Sequence, residues 1–390
     1  MTLQESEEQY FFHTYNRLPV EIDHGDGVYL YAKDGKKYLD LFGGLAVNAL
    51  GYGHPGILNA ISEQCKKYIH LSNYYLQEPQ IRLAELLVKY SGYRKVFFAN
   101  SGTEAIEGAV KIVRKWGKIN GKPDIVSFNG AFHGRTYGAL SLMDRHKYRN
   151  GYEPFLDNCV SVPMNDVASL RNAINEKSSS VFLEFVQGAG IVSPAESFID
   201  ELKKLKERFG FLLVADEIQS GMGRTGKLFA FEHFSIIPDI VVVAKAIGGG
   251  FPLGAILGNS KVADVFEAGD HGSTFGGNPV ACAAGIVVMD ELMNGGIMKN
   301  AGTAGSILRS HLADLQREFP EIIKDVRGYG LMLGMELYCK CEPISAALLK
   351  RGILLNYSNE NAFRFIPPLI INQEHIQFAI EQLRDVFRSM

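Results

Sequence analysis

A chain of 390 residues, 46% hydrophobic and 21% charged, has the composition of an ordinary globular protein with room for roughly two to three domains. Forty Lys and Arg against 43 Asp and Glu give a net charge of -3, and no basic run tracks a phosphate backbone, which argues against nucleic acid as a partner. The five cysteines, Cys65, Cys159, Cys282, Cys339 and Cys341, are odd in number and scattered, so neither a disulfide framework nor a metal site is expected.

The opening MTLQESEEQYFF is acidic and lacks the basic and apolar regions of a leader. No segment approaches the roughly 20 apolar residues of a bilayer span, so a cytoplasmic protein without a membrane partner is expected. VYLYAKDGKKYLDL predicts two short strands around a turn at Asp34-Gly35, because Asp-Gly favours the positive dihedrals of a hairpin. From about Gly51 to Glu291, helical patterns such as 57–69 and 80–90 alternate with the apolar runs KVFFA, DIVSF, SVFLEF, FLLVAD and DIVVVAK. Unbroken apolar runs separated by helices predict a mostly parallel α/β sheet covered on both faces. After about Asn300 a helix over 306–319, short strands near GLMLGMELY and FRFIP, and a helix over 375–388 predict a smaller α+β domain. The expected division is 1–50 as a segment packing with the small domain, 51–295 as the large domain and 296–390 as the small one.

Ligands of parallel sheets bind at the carboxyl ends of the strands, which puts Glu184, Asp216 and Lys245 on one rim because each ends an apolar run. Taken alone, Lys245 fits a cation whose stem covers the sheet edge. The following Gly248–Gly250 run favours close approach to a ligand, and a desolvated lysine has the lowered pKa of a Schiff-base nucleophile. FFANSGTEA reads as a strand, a turn and a helix start. Ser101 and Glu104 match the capping box S-x-x-E, while the free N–H groups of Gly102 and Thr103 suit an anion such as phosphate. Asp216 fits either a turn cap or the partner of a protonated ring nitrogen. In GAFHGRTYG, Phe132 and Arg135 read either as a ring stacker and a carboxylate fork, or as a core aromatic and a surface charge.

Together YLDLFGGLAVNALGYGHP, FFANSGTEA, FHGRT, DEIQSGMGRTG, AKAIGGGFPLGA, HGSTFGGNP and RFIPPL, in this order and across nearly the whole chain, resemble the class III, or ω-amino, pyridoxal-phosphate aminotransferases. The motif wording is most similar to the branch that acts on acetylornithine. The resemblance implies the fold type I of pyridoxal-phosphate enzymes, with pyridoxal 5′-phosphate as cofactor and Lys245 as its covalent anchor and proton shuttle. It implies that Asp216 pairs with the ring nitrogen, that Gln219 lies near the 3-hydroxyl, and that Phe132 stacks on the ring. His133 and Glu184 join the cofactor site, and Ser101, Gly102 and Thr103 hold the phosphate. Ser273 and Thr274 complete the phosphate cup of the neighbouring subunit, which implies a homodimer. Arg135 and Arg364 are implied carboxylate holders for an ω-amino donor and for 2-oxoglutarate.

Runner-up activities within the family are ornithine, succinylornithine, 4-aminobutyrate or carrier-bound lysine aminotransferases, or an aminomutase; a non-catalytic cofactor binder is more remote. A nicotinamide dehydrogenase lacks its G-x-G-x-x-G after an early strand. One departure stands out. Where the family commonly carries a second acid, this chain reads EFVQGAG, with Ala189 at that place. Arg364 is therefore expected to be either open or covered by a different acid.

Overall fold

In the computed structural model, which describes residues 2–390, the chain opens on three short strands: β1 (Ile22–Asp26), β2 (Tyr29–Ala32) and β3 (Lys37–Asp40). β2 and β3 make the expected antiparallel pair. Gly35 sits in the turn at φ +83°, a conformation open to glycine because no Cβ clashes there. β1 was not predicted. Its IDHGD sequence is exposed except at Gly25, so no apolar alternation marks it.

The central sheet contains β4 (Lys95–Ala99), β5 (Asp124–Phe128), β6 (Cys159–Val162), β7 (Ser178–Leu183), β8 (Leu212–Asp216), β9 (Ile240–Val243) and β10 (Gly254–Gly258), in the order β4-β10-β9-β8-β7-β5-β6. β5 to β9 pair in parallel. β10 alone runs antiparallel, to both β4 and β9. Every residue of β7, β8 and β9 is buried, the condition that makes strands read as continuous apolar runs. The crossover helix Gly102–Ile119 buries Ala105, Ile106, Ala109, Val110 and Val113 at helical spacing, which holds its N-terminus at the strand ends. The two expected early helices run over Pro55–Lys67 and Glu78–Ser91, each with a proline in the first turn, where a missing N–H costs nothing.

Beyond the helix Ile297–Glu318, which begins earlier than expected, come β11 (Ile323–Tyr329), β12 (Met332–Leu337), β13 (Ile353–Leu354), β14 (Asn356–Ser358) and β15 (Ala362–Phe365). β11-β12-β15-β14 form an antiparallel sheet. The last helix, Gln373–Arg388, buries Ile376, Ala379, Ile380 and Leu383 and packs against the helices Ile297–Glu318 and Cys341–Lys350. β13 pairs in parallel with β3, Ile353 opposite Leu39, so the first strands are tied to the last third of the chain. Among the described residues, no single helix is long and apolar enough to cross a membrane.

Candidate active site

The carboxyl ends of β7, β8 and β9 open into a cavity of about 1280 Å³ whose walls include Glu184, Asp216, Lys245, Phe132 and Arg364. Lys245 directly follows Ala244 at the end of β9 and begins a single tight turn, Lys245–Gly248. Its φ is +53°, a left-handed conformation that costs a non-glycine residue of order 1–3 kcal/mol. Burial brings its amine down from the ordinary 10.5 to about 8, although the charges of Asp216 and Glu184 pull the other way. The glycine run behaves differently from the expectation. Gly250 lines the cavity but Gly248 and Gly249 do not, and Gly249 is required by its own φ of +59° and by Ile57, whose Cδ1 would lie 2.8 Å from a Cβ there.

Asp216 ends β8 at 3% exposure. Its Oδ1 accepts the Ile218 N–H at 3.1 Å and its Oδ2 accepts Nδ1–H of His133 at 2.7 Å. Since a carboxylate only accepts, this bond puts a proton on His133 Nδ1. Burial opposes a charge on His133, but the Asp216 carboxylate outweighs it and raises the pKa of the ring. His133 Nε2 and Gln219 Oε1 are buried without a hydrogen-bond partner. Glu184 spans two loops: Oε2 accepts Phe132 N–H at 2.8 Å and Oε1 accepts Gly188 N–H at 2.9 Å. Burial, then the charge of Asp216, pushes its carboxyl up to about 7. The Phe132 ring keeps 37% exposure at the cavity wall.

At the start of the helix Gly102–Ile119, Ser101 Oγ accepts Glu104 N–H at 3.3 Å. The reciprocal half of the expected capping box is not made. Glu104 instead accepts Asn100 N–H at 2.7 Å and Asn100 Nδ2 at 2.8 Å, which leaves the first amides of the helix to a ligand. Gly134 fixes the facing loop: its φ is +135°, and a Cβ there would stand 2.2 Å from Thr103 Oγ1.

Arg135 stacks on Tyr148, Cζ to ring centroid 3.7 Å. Among the described residues no acid covers Arg364, which lines the cavity, so the second of the two expectations is not met. Its Nη1 donates to Gly188 O at 2.9 Å and its Nε to Asn356 Oδ1 at 3.1 Å, both neutral acceptors. Asn356 and Arg364 face each other in the β14–β15 register, a pairing that no sequence motif announces. Ser273 and Thr274 do not line the cavity of their own chain; Ser273 Oγ accepts Asn100 Nδ2 and Gly276 N–H, each at 3.0 Å. Glu217, unnoticed in the sequence, is fully buried. It accepts from Ser220 Oγ at 2.6 Å and from the N–H groups of Ala230 and Phe231 at 2.9 Å, pinning the loop that carries Gln219.

This donor set suits a planar, phosphorylated group that bears a carbonyl. An amine held near neutrality faces it, a carboxylate is fixed at the rim, the Gln219 oxygen is orphaned, and the first amides of a helix offer donors. The family model for class-III aminotransferases matches residues 10–387. The acetylornithine aminotransferase of Caldanaerobacter subterraneus subsp. tengcongensis is 42% identical over 98% of this chain and 98% of its own length. That of Aquifex aeolicus is also 42% identical, over 97% of this chain and 99% of its own. Among solved structures, the ornithine aminotransferase of Toxoplasma gondii matches with a TM-score of 0.94 at 29% identity, covering 99% of this chain and 94% of that one. The acetylornithine aminotransferase of Elizabethkingia anophelis gives 0.90 at 31%, covering 99% and 98%. A further Toxoplasma gondii ornithine aminotransferase structure has PLP at partial occupancy in its active site. With residues 10–387 under one family model and relatives at 42% identity along the whole length, this chain belongs to the class-III aminotransferases.

Proposed function

We propose that the chain transfers an amino group from an acetylornithine-like ω-amino donor to 2-oxoglutarate, giving a semialdehyde and glutamate, with pyridoxal 5′-phosphate as cofactor. The observation that carries this reading is Lys245, its amine brought to about 8, in one cavity with Asp216 and the carboxylate-seeking Arg135 and Arg364. Ser101, Gly102 and Thr103 hold the phosphate, Phe132 covers a ring face, Gln219 takes the 3-hydroxyl, and Asp216, steadied by His133, pairs with the ring nitrogen. Bound there, the cofactor supplies an electron-withdrawing ring and carries the amino group. Lys245 removes the proton from the amine-bearing carbon and later delivers it, which an amine near its own pKa does in either direction. Arg135 orients the donor by its carboxylate.

The donor assignment draws support from the acetylornithine aminotransferases at 42% identity, and an arginine-biosynthetic, cytoplasmic setting belongs to the same reading. Ornithine is the second reading, favoured by the Toxoplasma gondii neighbour. A homodimer in which Ser273 and Thr274 serve the partner's site is supported by their position outside their own cavity and by the neighbouring Phe275 ring, 58% exposed. Residues 51–295 form the cofactor-binding domain, 296–390 the small domain, and 1–50 pack on the latter, a division supported by the pairing of β3 with β13.

Single-turnover mixing of the cofactor-loaded protein with acetylornithine, ornithine, succinylornithine and 4-aminobutyrate, followed by the cofactor's absorbance, tests the donor. Acetylornithine should react at least about tenfold faster than ornithine, within the few kcal/mol that pocket contacts supply. A preference for 4-aminobutyrate, or no reaction with any of the four, overturns the reading.

A further inference from the structure

A third arginine shares the cavity with Arg135 and Arg364. Arg145 precedes the short helix His146–Arg149 and lines the same wall. Its Nη2 donates to Gly130 O at 2.7 Å, and its Nε is buried with no acceptor. It shares one ring with Arg135: the Tyr148 centroid lies 3.7 Å from Arg135 Cζ and 6.0 Å from Arg145 Cζ. Arg364 feels the same charge. Burial first, then the proximity of Arg145, brings its pKa down to about 10.

Among the described residues none of the three arginines forms an ion pair. Glu342 and Glu360 also line the cavity, but Glu360 pairs with Lys340 at 3.4 Å and neither acid reaches the arginines. Asp144, next in sequence to Arg145, is turned away to accept Gly130 N–H at 2.9 Å. Like charges gathered in a partly desolvated space repel one another, and such an arrangement is offset when a ligand brings the missing negative charge. One carboxylate neutralises only part of this wall; a dicarboxylate spanning it neutralises more.

We propose that Arg145 is a further specificity-determining residue: with Arg135 it takes the distal carboxylate of a dicarboxylic keto acid, while Arg364 takes the carboxylate next to the keto group. The inference rests on the transaminase reading, with its dicarboxylic acceptor, and adds to it Arg145 as a residue on which that choice of acceptor depends.

Two readouts on the cofactor-loaded protein test it. Glutarate, a dicarboxylate that cannot react, should bind wild type in calorimetry and bind Arg145→Gln about tenfold more weakly, a difference of about 1.4 kcal/mol. The ratio of kcat/KM for 2-oxoglutarate to that for pyruvate should fall by a similar factor. Arg145→Lys, which keeps the charge, should recover at least half of the lost glutarate affinity on a logarithmic scale. Unchanged glutarate affinity and an unchanged ratio in Arg145→Gln overturn the proposal while the transaminase reading stands, and so does a lysine variant as weak as the glutamine one. If wild type converts no amino donor at all, the transaminase reading fails instead. Glutarate titration of the variants still reports on the arginine wall in that event, and equal affinities sink the proposal there too.

Discussion

Lys245 combines two unfavourable features, a left-handed φ of +53° and an amine whose pKa burial lowers, and the neighbouring carboxylates of Asp216 and Glu184 offset the second only in part. A side chain serving only to cover a sheet edge gains nothing from such a place, whereas a nucleophile gains a neutral amine near physiological pH. The expected consequence is a pH dependence specific to this group. Burial favours the neutral form, so covalent capture of the cofactor by the cofactor-free protein should rise with pH, with its midpoint at about 8 instead of near the ordinary 10.5. In Lys245→Ala the cofactor should dialyse away and resist fixation by borohydride, and transamination should fall by at least about a thousandfold, the range in which loss of a covalent and proton-transfer group falls. Stopped-flow absorbance at several pH values checks the first expectation; capture that stays flat from pH 7 to 9 contradicts it.

The elements place their site residues by simple means, and the means decide how much could be read beforehand. Fully buried parallel strands must be apolar along their whole length, so β8 and β9 and the polar residues that end them were legible, as was the glycine-containing helix start after β4. β10, GAILG, was missed because it is short and bounded by glycines, and β11, IKDVRGY, because its charges mask any alternation. Arg145, Asn356 and Glu217 escaped notice for another reason: their meaning lies in long-range contacts. Arg364 and Gly188 are 176 residues apart, and two of the three donors to Glu217 lie 13 and 14 residues further on. Glu217 carries a prediction of its own. Burial raises its carboxyl to about 7 in the folded protein, against about 4.5 when unfolded, so between those values the folded state binds more protons and stability falls as pH rises. Glu217→Gln replaces one acceptor oxygen by a donor that faces backbone N–H groups, a mismatch worth about 1–3 kcal/mol. The variant should therefore melt below wild type, and because it lacks the titrating group, the gap should narrow as pH rises from about 4.5 to about 7. Thermal melts of the two cofactor-free proteins across that window decide the matter, and a gap that widens with pH contradicts it.

At the scale of the whole molecule, the seven-stranded sheet brings Lys245, Asp216 and the start of the helix Gly102–Ile119 to one side of the cavity, while the C-terminal antiparallel sheet brings Arg364, braced by Asn356, to the same cavity. The Ser273–Thr274 segment is fastened to the strand end at Asn100 but does not line the cavity of its own chain. The homodimer proposed above would account for this, since a symmetric dimer would place each such segment at its partner's cavity. Hybrid dimers discriminate between the arrangements. One chain carries Lys245→Ala and the other carries Ser273→Ala with Thr274→Ala; the first homodimer lacks the amine at both sites, and the second lacks the phosphate donors at both. If each segment serves the partner, the hybrid gathers all lesions into one site: the chain without Lys245 also receives the defective cup, and the other site is whole. Tagged and purified hybrids should then show about half the wild-type turnover per dimer, with tight cofactor retention at one site. If each segment serves its own chain, one hybrid site lacks the amine and the other lacks the cup, so turnover stays as low as in the parent variants. The comparison is internal to one preparation, which makes the outcome independent of any general loss of stability in the variants.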